Sequence, residues 1–242
     1  MEAIHTTALT KQYSGTLAVD RLDLSIHRGE LFSLLGVNGA GKSTAIKMLS
    51  CLTAPTAGEA YIEGYSVTEH PLQVKSRIGV SPQETAVAPL LTVRENLELI
   101  GRLHGFSKEK SRQHTQELAE RLGLQKVLSQ KAGTLSGGYG RRLSIAMALI
   151  GQPSVLFLDE PTLGLDVLAR QELWDIIRGL KGSVTVLLTT HYMEEAATLS
   201  DRIGIMKEGR MLVTGTVQEL MEQTGADTFE KAFVAIVKEG AV

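Results

Sequence analysis

The chain has 242 residues, with 25 Lys plus Arg against 27 Asp plus Glu and a formal charge of −2. It therefore lacks the basic field that a nucleic acid backbone or an anionic membrane would require, and no nucleic acid partner is expected. The length suits one large domain, or a domain carrying a sizeable insertion, and the single cysteine, Cys51, excludes a disulfide framework and a cysteine-based metal site.

The amino-terminal segment MEAIHTTALTKQ lacks the basic start and apolar run of a secretory signal, and no stretch of 18 apolar residues occurs. A cytoplasmic chain is expected, reaching a membrane only through a partner. Leu22, Leu24 and Ile26 alternate with polar residues before Arg28-Gly29, and residues 60–64 form another short strand closed by glycine. Both read as the edge of an antiparallel layer. Leu31–Leu35 is nearly continuously apolar, as are residues 155–158 and 184–188, which is the pattern of parallel strands covered on both faces.

Between the apolar run Leu31–Leu35 and a helix predicted over residues 44–52 stands Gly36-Val37-Asn38-Gly39-Ala40-Gly41-Lys42-Ser43, followed by Thr44. Glycines there let backbone N–H groups turn inward around phosphates, and the helix directs its positive end at the anion. Lys42 can reach the β and γ oxygens, and Ser43 can offer its hydroxyl to Mg²⁺. The G-x-G-x-x-G spacing of a dinucleotide site is absent. Cys51 is expected on that helix, among Met48, Leu49 and Leu52, in a buried apolar role. Gln83, after Ser81-Pro82, stands where the first core meets a helical block, so its amide can contact Mg²⁺ or water.

Residues 91–150 show helical patterns and no convincing strand. Thr92 and Glu95 fit a capping box, with Leu97, Ile100 and Leu103 at helical spacing; residues 107–122 form a second helix that ends at Gly123. A third opens at Ser136, carries Leu143, Met147 and Ile150 on its apolar side, and stops before Pro153. We therefore expect one α/β domain over 1–242, with a nucleotide-binding core formed by 1–90 and 151–242 and a helical subdomain over 91–150. Leu135-Ser136-Gly137-Gly138-Tyr139 gives that third helix its own phosphate-binding start: a hydroxyl, flexible N–H groups and a helix terminus. The first loop already surrounds the phosphates, so the second is best explained by nucleotide held on another copy, in a head-to-tail dimer with two sites. A serine that only capped the helix would not account for two following glycines.

Asp159 and Glu160 end the apolar run 155–158, with Pro161 stopping its continuation. Ligands of open α/β sheets bind at such strand ends. Asp159 is suited to hold Mg²⁺ through its water shell, and Glu160 to polarise the water that attacks the γ-phosphate. Thr189-Thr190-His191 follows residues 184–188 and places an imidazole near the γ-phosphate and that water. Residues 167–180 form an amphipathic helix with Leu173, Ile176, Ile177 and Leu180 inward and Trp174 at its margin. Two short strands around Glu208-Gly209 and helices from Val217 and Phe229 complete the chain.

In this order the motifs resemble those of the ATP-binding subunits of ABC transporters over nearly the whole chain. GVNGAGKS is similar to the family's Walker A loop, SPQ to its Q-loop, LSGGY to its signature, VLFLDEP to its Walker B strand, Gly164–Asp166 to its D-loop and TTH to its switch histidine. The resemblance implies a P-loop NTPase core with a mixed sheet, an antiparallel β edge layer and an inserted α-helical subdomain. It also implies ATP and Mg²⁺, with Glu160, His191 and Lys42 catalytic and Ser43, Gln83 and Asp159 toward the metal. It puts Tyr13 at the adenine-stacking position, for which core packing is the alternative. Ser136, Gly137 and Gly138 would face the γ-phosphate across the dimer, and Asp166 would couple the two sites.

One departure is Tyr139, where the family usually has Gln. The stretch from Ser76 to Gly105 is similar to ATPases of ABC-2 type exporters. That implies a separate transmembrane permease, a homodimer or a heterodimer with another ABC ATPase subunit, and a place on the cytoplasmic face of the membrane. A soluble ABC ATPase with a non-transport role, or a regulatory module without hydrolysis, are the alternatives.

Overall fold

The computed structural model describes residues 1–239. The chain opens with β1 (Glu2–Tyr13), β2 (Thr16–His27), β3 (Leu31–Leu35), α1 (Lys42–Leu49), β4 (Ala57–Ile62), β5 (Tyr65–Ser66), α2 (Pro71–Lys75) and β6 (Ile78–Ser81). Three helices follow: α3 (Val93–Leu103), α4 (Lys108–Arg121) and α5 (Gly137–Leu149). The remainder comprises β7 (Val155–Asp159), α6 (Val167–Arg178), β8 (Thr185–Thr190), α7 (Met193–Leu199), β9 (Arg202–Lys207), β10 (Arg210–Gly215), α8 (Val217–Thr224) and α9 (Phe229–Glu239).

Alternation of side chains along the central strands divides the core. In β7, Val155 and Phe157 face one cluster while Leu156 and Leu158 face another, and in β8 Leu187 opposes Val186 and Leu188 in the same way. A sheet buried on both faces results, with strand order β10-β9-β3-β8-β7-β6, parallel except where β10 returns beside β9. Its first face meets the antiparallel sheet β2-β1-β4-β5, whose inward residues include Ile4, Leu22 and Ile62. The second face is covered by α5 and α6 through Leu143 and Leu173, and α3 extends the same apolar cluster through Leu97 by packing on α5. The architecture is a P-loop NTPase α/β core with a mixed sheet, an antiparallel edge sheet and inserted helices.

Several elements differ from expectation. Residues 2–13 carry no clean alternation because Ala8 takes a left-handed φ of 48° and the pairing with β2 shifts register between Thr6 and Leu9, yet they form β1. β6 and α7 also escaped the sequence, being only four and seven residues long. Cys51 lies two residues past the end of α1 at φ 56°, half-buried, with its thiol donating to the Val67 carbonyl at 3.3 Å. Trp174 is not marginal: it is 2% exposed, and its indole N–H donates to Glu195 Oε1 at 3.1 Å. Leu103 points outward at 74% exposure.

The capping box on α3 is present in both directions. Thr92 Oγ1 accepts from the Glu95 N–H at 3.1 Å, and Glu95 Oε2 accepts from the Thr92 N–H at 2.7 Å. Helix α5 lies close on β6, because a Cβ on Gly79 would stand 2.1 Å from the Ala148 carbonyl oxygen. The hydroxyls of Ser81 and Ser144 join the same two elements at 2.8 Å, both buried.

Candidate nucleotide site

The loop after β3 turns on Gly36 and Gly41. A Cβ on Gly36 would stand 2.4 Å from the Met206 carbonyl oxygen, and one on Gly41, at φ 100°, 2.5 Å from that of Ala18. Gly41 is also the N-cap of α1, where no side chain takes the first N–H groups. Those donors are left for an anion. Lys42 is 6% exposed and its ammonium donates to the carbonyls of Gly36 at 2.7 Å and Val37 at 3.2 Å, while lying 3.5 Å from Glu160 Oε1.

Across the loop stands the end of β7. The Ser43 hydroxyl donates to Asp159 Oδ1 at 3.0 Å, and the Thr189 hydroxyl donates to the same oxygen. Thr189 and Thr190 were expected beyond their strand, but both belong to β8, where parallel register sets Thr189 beside Asp159. Glu160 takes a left-handed φ of 49°, a conformation that costs a non-glycine residue about 1–3 kcal/mol. It is held there by its own N–H, which donates to the carbonyl and hydroxyl oxygens of Thr189, each at 3.1 Å. The His191 Nδ1–H donates to Glu160 Oε2 at 2.7 Å. A cavity of about 380 Å³ brings together Asn38, Gly39, Ala40, Gly41, Lys42, Ser43 and Thr44 with Gln83, Glu160 and His191. Ala18 and Leu163 complete its lining.

Ser136, Gly137 and Gly138 do not line this cavity, nor does Tyr13. Tyr13 ends β1 at 42% exposure, with the Lys11 ammonium 4.9 Å from its ring centroid. Ser136 is the N-cap of α5, yet its side chain makes no capping hydrogen bond, whereas Thr92, Ser107, Asp166 and Thr216 each accept one from their own helix. Ser136 and Gly137 are exposed. Gly137 and Gly138 lie against the start of α6, where added Cβ atoms would meet Leu165 at 3.5 Å and the Ala169 side chain at 3.1 Å. Tyr139 is half-buried on the helical core, with the Arg142 guanidinium 5.3 Å from its ring centroid.

Residues that the sequence did not single out support the site from behind. Thr189 holds both acids in place, and the signal for it was its position two residues before His191. Glu195, on α7, is fully buried against Trp174 of α6, and burial pushes its carboxyl above the ordinary carboxylate range, with the Glu160 charge adding to the effect. Arg141 is 5% exposed and donates to the carbonyls of Pro82 and Gln83, each at 2.7 Å. No pattern in the sequence marked these two.

The pattern that defines the ABC transporter family matches residues 19–163, the span from the second strand through both acids. The chain belongs to this family. It is 45% identical over 226 residues to the daunorubicin/doxorubicin resistance ATP-binding protein DrrA of Streptomyces peucetius, covering 93% of this chain and 68% of that protein. Among solved structures, an ATP-binding subunit of an ABC transporter superposes with a TM-score of 0.87 at 28% identity, over 98% of this chain and 100% of the other. The ATP-binding cassette MJ0796, solved as a dimer in a post-hydrolysis state with ADP and Pi, gives 0.80 at 28% identity over 88% and 98%. The chain is thus an ABC transporter subunit that binds and hydrolyses ATP, related to ATP-binding proteins of drug resistance, and the MJ0796 cassette of the same fold is a dimer. Among the described residues no helix is long and apolar enough to cross a membrane.

Proposed function

We propose that this subunit works as a head-to-tail pair closing over two ATP–Mg²⁺, and that the closure drives a separate transmembrane permease in the direction of export. The observation that carries this is the division of the chain into a cavity lined by Lys42, Glu160 and His191, with Asp159 bonded to the Ser43 that lines it, and an exposed glycine-led helix start that takes no side-chain cap. The anthracycline resistance in the relative's name supports export. The permease would hold the pair at the cytoplasmic face of the membrane.

The residues fit the nucleotide and its metal. Gly36 and Gly41 keep the loop too tight for any side chain, and the first N–H groups of α1 are uncapped, so Gly36–Thr44 would cradle phosphates. Ser43 and Asp159 already share a hydrogen bond and form, with Gln83 across the cavity, an all-oxygen donor set suited to Mg²⁺. Bound there, Mg²⁺ would neutralise charge on the phosphate oxygens. Glu160 would take a proton from the attacking water, and His191, bonded to it, fixes the direction of its carboxylate. Lys42 would offer the β and γ oxygens the donor it now turns toward Glu160. Tyr13 would stack on adenine from the end of β1.

Ser136, Gly137 and Gly138 would donate to the γ-phosphate on the other subunit, with Asp166, the cap of α6, beside them. In this scheme residues 91–150 form a signature subdomain that tilts against a core built from 1–90 and 151–242. The test is Lys42→Ala. We expect ATP affinity by calorimetry and phosphate release both to fall about a hundredfold, the scale of losing charge-assisted bonds in a buried site. Unchanged binding and turnover would remove Lys42 from the site.

A further inference from the structure

Arg141 is a buried cation that the scheme above leaves without a task. It stands in the second turn of α5, five residues after Ser136, and both of its terminal nitrogens are spent on main-chain carbonyls of the Q-loop, Pro82 and Gln83, at 2.7 Å each. Desolvating a guanidinium is costly, and a purely structural tie between a helix and a loop needs no charge. Burial pushes this guanidinium below its ordinary value, and the charges of Asp159 and Glu195 act against that shift. The cation therefore lies within the field of the acid that ends β7, while Gln83, whose carbonyl it grips, lines the nucleotide cavity.

We propose that Arg141 is a positioning residue that carries the state of the chain's own nucleotide site into the signature it presents to the other subunit. A planar fork holding two successive carbonyls fixes both distance and orientation, which a lysine cannot do. Movement of Gln83 toward a ligand therefore pulls on α5 near its start, roughly one helical turn from the exposed Ser136-Gly137. The neighbouring tie, Ser81 to Ser144, and the close seat of α5 on Gly79 act as the pivot about which that start turns. Each site is thereby made ready for its partner by its own nucleotide. The inference rests on the head-to-tail reading for its consequence in turnover, but its first step takes place within one chain.

The experiment uses that separation. In a Ser136→Arg background, where a long cation in place of the small exposed hydroxyl is expected to block closure, hydrogen exchange of the α5 amides from Gly140 to Leu143 is compared with and without ATP and Mg²⁺. With Arg141 in place we expect ATP to change those rates about tenfold, the range of a local opening shifted by ligand. In Arg141→Met the change should fall below about twofold while ATP affinity stays within about threefold, and Arg141→Lys should lie between them. In the otherwise native chain, Arg141→Met should lower kcat about ten- to a hundredfold, with little change in KM and with the Hill coefficient falling to about 1. ATP binding that leaves α5 exchange unchanged in the Arg141 protein overturns the inference, as does an equal response in the methionine and lysine variants. Failure of a Glu160→Gln protein to dimerise in ATP instead overturns the head-to-tail reading and leaves the exchange result standing.

Discussion

Helices α1 and α5 both begin in glycine-led turns, and the contrast between them is what the proposed pairing of two subunits rests on. At α1 the N-cap is Gly41, and the same chain supplies Lys42, Ser43, Asp159, Glu160 and His191 around it. At α5 the start is exposed and its flank is apolar, formed by Leu165 and Ala169. Neither helix uses a side chain to satisfy its first N–H groups, although Ser136 is placed to do so. The other serine and threonine caps, Thr92, Ser107 and Thr216, all bond their own helices. A helix that forgoes about 1 kcal/mol of capping keeps its donors for an anion. The first site has donors and chemistry and the second has donors alone, which is why the proposed scheme has the second act on nucleotide held by another subunit.

The sharpest way to break this contrast is to remove the chemistry and keep the donors. Glu160→Gln preserves shape and the bond to His191 but cannot take a proton, so we expect phosphate release to fall about 10²- to 10⁴-fold with ATP affinity retained. The trapped protein should elute as a dimer in ATP and Mg²⁺. A trapped protein that binds ATP and stays monomeric would separate the two helix starts again.

The next comparison sets Ser136 against Thr92. Thr92→Ala breaks a capping box and should cost about 1 kcal/mol in denaturant melts, with no direct effect on turnover. For Ser136→Ala we expect almost no loss of stability, because the hydroxyl caps nothing, and a fall in turnover of about tenfold or more from losing one bond to a charged oxygen. If Ser136→Ala melts like Thr92→Ala, α5 is an ordinary helix start.

Behind the α1 site lies a buried acid, Glu195, within the field of Glu160. Burial raises the Glu195 carboxyl, so the folded chain holds a proton there that the unfolded chain releases at lower pH. The resulting stability is complete below the ordinary value of 4.5 and is lost as pH rises through the folded value, with a slope of at most about 1.4 kcal/mol per pH unit. Glu195→Gln retains an oxygen for the Trp174 N–H and removes the proton, so its melting temperature should exceed that of the native chain at pH 8 and match it more closely at pH 5. A native chain whose stability rises between those values relative to the variant would contradict the assignment.

What the sequence made legible was local. Continuous apolar runs marked β3, β7 and β8 to within two residues because strands buried on both faces have no polar side to confuse them. Cap residues marked the starts of α3 and α4 for a similar reason: capping is settled within four residues. The parts that escaped depend on distant pairing. Thr189 matters only through the β7–β8 register, Arg141 only through the approach of α5 to the Q-loop, and Trp174 is buried only because α7 supplies Glu195. β1 was hidden by its own bulge at Ala8.

Tyr139 gives the smallest and most particular test. Read from the sequence it was a hydroxyl in place of an amide, beside the glycines that face the partner. In the fold its ring turns onto the helical core and lies under Arg142, which pairs with Glu172 on α6. It therefore acts as packing that fastens α5 to α6, and in the proposed scheme the donating is left to the glycines before it. Tyr139→Gln removes ring contacts and a cation–π pair worth about 0.5–1 kcal/mol, so the melting temperature should fall by roughly 2–4 °C. Turnover should change less than about threefold, or about 0.6 kcal/mol, because in the proposed scheme no bond to the phosphate is gained or lost. Tyr139→Phe should match the native chain in both measurements. Should the phenylalanine variant lose turnover while keeping its melting temperature, the hydroxyl itself reaches across the interface, and α5 brings more than backbone donors to its partner's nucleotide.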